Sequence, residues 1–208
     1  LEDGRRLQYD RLLIATGSAS RVPPVRGIED ADVCYHWTLA DTRKIEAKLN
    51  GAQSCFVIGA GFISLLTVSA LIKVAGFKFT VVEIADQVMP QLLDEAGGRA
   101  LERAMRDKGI ELVLGDTVTS IERRTSGYTA TLKSGATHDA GMIVVGTGVR
   151  PNVDFLEGSG LDIARGVLTN ERQETNLSDV YAAGDCAEGV DLLSGERAVH
   201  AIWPTAVD

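Results

Sequence analysis

The chain has 208 residues, room for one large domain or two small ones. Its formal net charge of −8 would repel a polyanion and no basic stripe offsets it, so nucleic acid is excluded as a partner. Cys34, Cys55 and Cys186 lack C-x-x-C spacing and point to reduced thiols in a cytoplasmic protein, while the scattered His36, His138 and His200 offer no metal framework. No apolar run approaches the ~18 residues of a transmembrane helix, so no membrane partner is expected.

Residues 1–19 read as strand, turn and strand, with a turn at Asp3-Gly4 and a second strand over 11–15 closed by Thr16-Gly17-Ser18. Pro23 and Pro24 mark an irregular link. Thr38 is a candidate N-cap for a helix over 38–49, which Asn50-Gly51 ends. A βαβ rhythm then begins: strand 54–58, helix 62–75 capped by Gly76, strand 78–83, helix 93–109, strand 110–114. The first of these helices is apolar nearly all round and is expected to be buried. The second carries an apolar stripe of Leu101, Ala104 and Met105. Strands alternating with helices of this length imply a parallel sheet. Strands 117–124 and 128–134, parted by Ser126-Gly127, read as an antiparallel meander. Residues 142–146 form an apolar strand that belongs inside the parallel sheet. Strand-like 166–170 and 179–183 follow, with a helix start expected after Pro204.

The segment 56-FVIGAGFIS-64 carries the central signal. Gly59 and Gly61 follow a buried strand and open a helix. Gly59 permits the tight turn, and Gly61 lets a pyrophosphate approach the backbone where a side chain would block it. The helix N-terminus, through Phe62 and Ile63, then offers free N–H groups and a partial positive charge. Glu83 ends the next strand, 24 positions after Gly59, where a carboxylate can accept hydrogen bonds from the adenosine ribose. It would repel a 2′-phosphate, and no arginine follows in 84-IADQ-87, so NAD is favoured over NADP. Ser64 stands where the fingerprint wants Gly or Ala for close helix–strand packing, and a slight displacement is expected there.

Five segments stand in order: 9-YDRLLIATGS-18, 57-VIGAGFIS-64, Glu83, 145-VGTGVRPN-152 and 179-DVYAAGDCAE-188. Together they resemble the FAD-dependent pyridine nucleotide–disulfide oxidoreductase family, especially its NADH oxidase, nitrite reductase large subunit and ferredoxin or rubredoxin reductase branches. The resemblance covers nearly the whole chain. It implies that Ala15, Thr16 and Gly17 pass near a flavin, and that Asp185, preceded by Gly184, hydrogen-bonds the ribityl and pyrophosphate region of FAD. It implies that Gly146 and Gly148 lie near bound nicotinamide, and that Arg150 and Pro151 begin the return to the FAD domain. Phe62 stands where many relatives carry an aromatic that covers the flavin until nicotinamide displaces it; an ordinary buried aromatic is the other reading. Leu66 departs from the pattern, standing where many relatives carry a glutamate near the nicotinamide. Cys186 is expected to pack near the FAD site without redox activity.

The expected fold is α/β: a Rossmann-type βαβ NAD-binding domain with an antiparallel meander (49–149), flanked by partial FAD-binding segments (1–48 and 150–208). The implied chemistry is hydride transfer from nicotinamide C4 to flavin N5, then electron transfer to an unidentified acceptor. No side-chain acid or base is demanded, so no catalytic residue is named. Leu1 is not a start residue and 199–208 stops in mid-pattern, so an internal fragment is expected. The family's first FAD cradle would lie upstream, leaving FAD binding weak or absent. The exposed edges of the flanking segments would favour a homodimer or strand exchange. Two rival readings are a binding-only regulatory NAD module, raised by Ser64 and Leu66, and a methyltransferase, against which the ATGS and AAGD segments argue.

Overall fold

The computed structural model of the chain describes residues 3–73 and 77–201. In chain order the elements are β1 (Leu12–Ile14), β2 (Ser18–Ser20), α1 (Leu39–Leu49), β3 (Ser54–Ile58), α2 (Phe62–Leu71), β4 (Lys78–Glu83), α3 (Glu95–Asp107) and β5 (Glu111–Leu114). Then come β6 (Val118–Arg123), β7 (Tyr128–Leu132), β8 (Thr137–Ala140), β9 (Met142–Val145), β10 (Val149–Pro151), β11 (Val167–Leu168), β12 (Val180–Ala182), β13 (Ala187–Val190) and β14 (Arg197–Ala198). The chain divides into two compact units, Ser20–Gly148 and Leu1–Ala19 with Val149–Asp208.

In the first unit β5, β4, β3 and β9 form a parallel sheet in that order. Side chains alternate across a strand, and here both faces are apolar because both are covered. Cys55 and Val57 of β3, Val81 of β4 and Met142 and Val144 of β9 turn to one face, where they pack with Ile45, Val68, Leu71 and Met105 from the helices. Phe56, Ile58, Val82, Ile143 and Val145 turn to the other and pack with Val118, Ile121, Ala130 and Leu132 of the meander. The meander is antiparallel, in the order β6-β7-β8.

Residues 20–48 belong to this unit through pairings that no local periodicity announces. Arg26 bridges Ser120 of β6, and Cys34 bridges Val144 of β9 in parallel, adding a fifth row to the sheet. The compact unit therefore takes in residues 20–48 as well as 49–148. Lys44 Nζ donates to the Val33 carbonyl at 2.8 Å and pairs with Asp32 at 2.6 Å, tying this strap to α1. The N-cap expected at Thr38 is present, and it takes the form of a capping box: Asp41 N donates to Thr38 Oγ1 at 3.2 Å and Thr38 N donates to Asp41 Oδ2 at 2.7 Å.

The second unit joins chain ends distant in sequence. β1 pairs in parallel with β12, Leu12 opposite Val180. β11 pairs in parallel with β13, which pairs antiparallel with β14. Ile14, Val153, Leu156, Val167, Val180, Ala182 and Cys186 form its core.

Several local expectations are corrected. No strand precedes β1 among described residues 3–11: β1 finds its partner in β12, and no hairpin forms. The helix after the glycine-rich turn is described only over Phe62–Leu71, and Phe62 and Leu66 are 53% and 47% exposed, so it is not buried all round. Its apolar side chains face two ways: Ser64, Thr67, Val68 and Leu71 are buried, and Leu65 is partly buried against the core. Ala104 is exposed, which leaves Met105, with Leu101 partly buried, to seat α3. The cap at Gly76 and the helix after Pro204 lie outside the described residues.

Candidate functional site

The turn after β3 is built by two glycines with different duties. Gly59 takes φ +95°, and a Cβ there would lie 2.6 Å from the Gly146 carbonyl oxygen, so no other residue fits. A Cβ on Gly61 would meet only that oxygen, at 3.9 Å, so its open side faces space. Gly61 is the N-cap of α2 with no side-chain cap, and the first turn holds no acidic residue. The positive end of the helix is thus left to an external anion. Met89 closes the turn from the far side: its N–H donates to the Ala60 carbonyl at 3.0 Å, with Met89 itself at φ +48°.

Glu83 is the last residue of β4, and its carboxylate reaches back to the turn. Oε2 accepts from Ala60 N at 2.7 Å and Oε1 from Ala85 N at 3.0 Å. Two backbone donors fix its position, and each oxygen retains acceptor capacity. The result is a cleft of about 470 Å³ at the C-terminal ends of the parallel strands, where α/β sheets take ligands. Gly59, Gly61, Phe62, Ile63, Glu83, Gly146 and Gly148 all line it. Ser64 stands behind, fully buried, with Oγ donating to the Gly146 carbonyl at 3.2 Å. Phe62 is half exposed, which removes the reading of an ordinary buried aromatic.

The remaining expected residues gather in the second unit. Gly17 takes φ +67° and Gly184 φ +77°, at the C-terminal ends of the paired strands β1 and β12. Ser18 Oγ donates to Asp185 Oδ2 at 2.6 Å. Ala15 and Thr16 are exposed. Cys186 is fully buried, its thiol 3.3 Å from the Ile14 carbonyl oxygen.

Sequence reasoning missed several residues. Asn152 clamps the A-T-G segment: its N donates to Gly17 O at 2.9 Å, its Nδ2 to Thr16 O at 3.0 Å, and Thr16 Oγ1 donates to Asn152 O at 2.8 Å. The order of the 9–18 and 145–152 motifs was the available signal. Asp116 and Met89 line the cleft but sit in loops whose pattern carries no sign of it. Among the described residues no group of His, Cys, Asp and Glu could hold a metal, and no helix is long and apolar enough to cross a membrane.

The model of the family described as pyridine nucleotide-disulphide oxidoreductase matches residues 1–207. The chain belongs to this family. As a member of the pyridine nucleotide-disulphide oxidoreductases it is 34% identical over 208 residues to the NADH-dependent phenylglyoxylate dehydrogenase subunit epsilon of Aromatoleum evansii, covering 99% of the chain and 48% of that protein. It is 31% identical to the NADH oxidase of Methanocaldococcus jannaschii, covering 99% of the chain and 47% of that protein. The chain thus spans about half the length of the curated relatives it matches. Among solved structures, the ferredoxin reductase for the CYP199A2 system from Rhodopseudomonas palustris superposes with a TM-score of 0.92 at 28% identity, over 99% of this chain and 51% of that one. The water-forming NADH oxidase from Lactobacillus brevis, solved with NADH bound, gives 0.91 at 28% identity, over 97% and 44%. The expected α/β fold with its parallel sheet and antiparallel meander is thereby established.

Proposed function

We propose that this chain is the NADH-binding part of a flavoprotein oxidoreductase in which hydride passes from NADH to FAD and electrons pass on to an acceptor that the chain does not identify. One observation carries the reading: the Glu83 carboxylate is held at the glycine-rich turn, 2.7 Å from Ala60 N, on a cleft whose helix end is uncapped. Gly59, Gly61, Phe62 and Ile63 would hold the pyrophosphate, with Ser64 backing the turn. Glu83 would take the ribose hydroxyls, and Gly146 and Gly148 the nicotinamide side. The residues fit that group, since the open side of Gly61 offers room that a Cβ would fill.

Residues 49–149 are assigned as the NAD-binding domain, with 1–48 and 150–208 as segments of the FAD-binding domain; residues 20–48 pack with the former. Ala15, Thr16, Gly17, Gly184 and Asp185 would contribute to FAD. Asp185 retains acceptor capacity beside its bond from Ser18. The chemistry those cofactors supply is hydride transfer from nicotinamide C4 to flavin N5. This chain's residues bind and orient, and none is assigned as acid or base. The relatives are named as an oxidase and as reductases or a dehydrogenase subunit, which lends no support to a purely regulatory module. A cytoplasmic location goes with three free, buried cysteines.

Titration of the chain with NADH, followed by nicotinamide fluorescence, tests the reading. Saturable binding is expected. Failure to bind NADH at millimolar concentration overturns it.

A further inference from the structure

We infer that Asp116 is a second specificity-determining residue of the nucleotide cleft, acting with Glu83 to reject a dinucleotide phosphorylated on the adenosine 2′-hydroxyl. The inference rests on the NADH reading above. Among the described residues two ionisable side chains line the cleft, Glu83 and Asp116, and both are carboxylates; none of the lining residues described is Lys, Arg or His. They leave the sheet side by side. Glu83 ends β4 opposite Leu114 of β5, and Asp116 follows two residues later, its N–H donating to the Glu83 carbonyl at 3.2 Å.

Asp116 is held in place as firmly as Glu83. Its Oδ1 accepts from Thr117 N at 2.8 Å and from Ser134 N at 3.3 Å. Hydrogen bonds from Ser134 and Thr117 keep its pKa below the usual carboxylate value, so it is charged throughout the neutral range. A third carboxylate crowds the same corner. Gly115 takes φ +71° and donates to the Ala85 carbonyl at 3.0 Å, and Asp86 Oδ1 lies 2.9 Å from where a Cβ on Gly115 would sit.

A ribose diol can donate to carboxylates. A 2′-phosphate brings a charge of about −1.5 to −2 and cannot donate when fully ionised. With no cation lining the cleft, each fixed carboxylate opposes it by about three- to tenfold in affinity at low salt, and by less as salt screens the pair. Neutralising Glu83 alone therefore leaves Asp116 standing against the phosphate.

The test uses ADP-ribose and 2′-phospho-ADP-ribose as probes, with calorimetric titration of the chain and of Asp116→Asn, Glu83→Gln and the double variant. Asparagine keeps the acceptor for Thr117 and Ser134 while removing the charge. The ratio of the two dissociation constants is expected to fall about three- to tenfold in Asp116→Asn and further in the double variant. Glu122→Gln, which removes an equal charge from an exposed position on β6, should leave the ratio alone. In the unmodified chain the ratio should also shrink as salt rises from 20 mM to 1 M, a readout that needs no variant. If the chain binds neither probe, the nucleotide reading itself fails. If ADP-ribose binds but the ratio ignores both salt and Asp116→Asn, that reading survives and the role of Asp116 is overturned.

Discussion

The hydroxyl of Ser64 donates to the carbonyl oxygen of Gly146 at 3.2 Å, joining the first turn of α2 to the end of β9. The contact is so close that a Cβ on Gly146 would lie 1.9 Å from Ser64 Oγ and 3.1 Å from its Cβ. Serine is accommodated behind the turn because the facing residue is glycine. Gly146→Ala should therefore destabilise the chain by about 1–3 kcal/mol, the usual cost of overpacking. Ser64→Gly should recover part of that loss, despite about 1 kcal/mol of helix propensity. Urea unfolding of both single variants and the pair measures the coupling. Additive losses would show that the two residues do not share one space.

Glu83 makes two hydrogen bonds that set the shape of the turn, to Ala60 N and Ala85 N. Glu83→Ala removes both, and with them the acceptor proposed for the ribose. Charge-assisted hydrogen bonds contribute about 1.5–3 kcal/mol each, so NADH affinity should drop about 10- to 100-fold. Glu83→Gln keeps one acceptor oxygen and should lose less. Fluorescence titration separates the two, and equal affinity in the alanine variant would remove Glu83 from the site.

The contrast between legible and hidden features follows from what each depends on. β3, α2, β4 and the turn between them could be read from sequence because apolar runs, glycines and a strand-ending Glu83 all lie within 30 residues. The burial of β9 could be read from 142-MIVV-145 alone, since a strand covered on both faces carries no polar residue. β8 was hidden: 137-THDA-140 alternates nothing apolar, and its existence depends on the register with β7. The bridges of Arg26 and Cys34 were hidden for the same reason, as each is a pairing with residues more than 90 positions away. Asn152 clamps Thr16 across 136 positions, and Gly17 beside it, and is invisible to any local window.

Asn152 offers a direct test of that clamp. Asn152→Ala removes the Nδ2 bond to Thr16 O while leaving both backbone bonds in place. A loss of about 1 kcal/mol is expected, the net worth of one amide hydrogen bond. Hydrogen exchange should report it at residues 12–18 and 152–156 before it reaches the parallel sheet around Val57. Uniform loss of protection across both units would count against a local role.

Glu188 predicts a pH dependence. Its side chain is nearly fully buried, and Oε2 accepts from Arg165 N at 2.7 Å and Gly166 N at 2.9 Å. Burial is the largest single influence and pushes its pKa up. The bonds from Gly166 and Arg165, with the Arg165 charge, together outweigh it and hold the group below its ordinary 4.5. A depressed folded-state pKa contributes stability that is present above 4.5 and is lost as pH falls through the folded value. Urea midpoints of the native chain should therefore decline below that pH. In Glu188→Gln that component of the decline should be missing, while stability at pH 7 falls by about 1–3 kcal/mol, because the amide oxygen can keep both backbone donors but loses the negative charge that strengthens those bonds and pairs with Arg165. A variant that keeps the full acid decline would assign it elsewhere.

The cysteines give the last prediction. Cys34 and Cys186 are 0% exposed and Cys55 is 1%. Burial raises the Cys34 thiol and carries Cys55 up to about 12, so at pH 8 the thiolate that would attack a reagent is scarcely populated at Cys55. Cys186 is shielded by packing and by its contacts with Ile14 O and Ala183 O at 3.3 Å. An aromatic disulfide reagent should therefore label the native chain slowly and all three thiols at once in guanidinium chloride. Cys186 directly follows the Gly184-Asp185 pair proposed to meet FAD. Fast labelling confined to Cys186 would show that the 184–186 turn opens in solution, which a preformed cofactor contact at Asp185 does not allow.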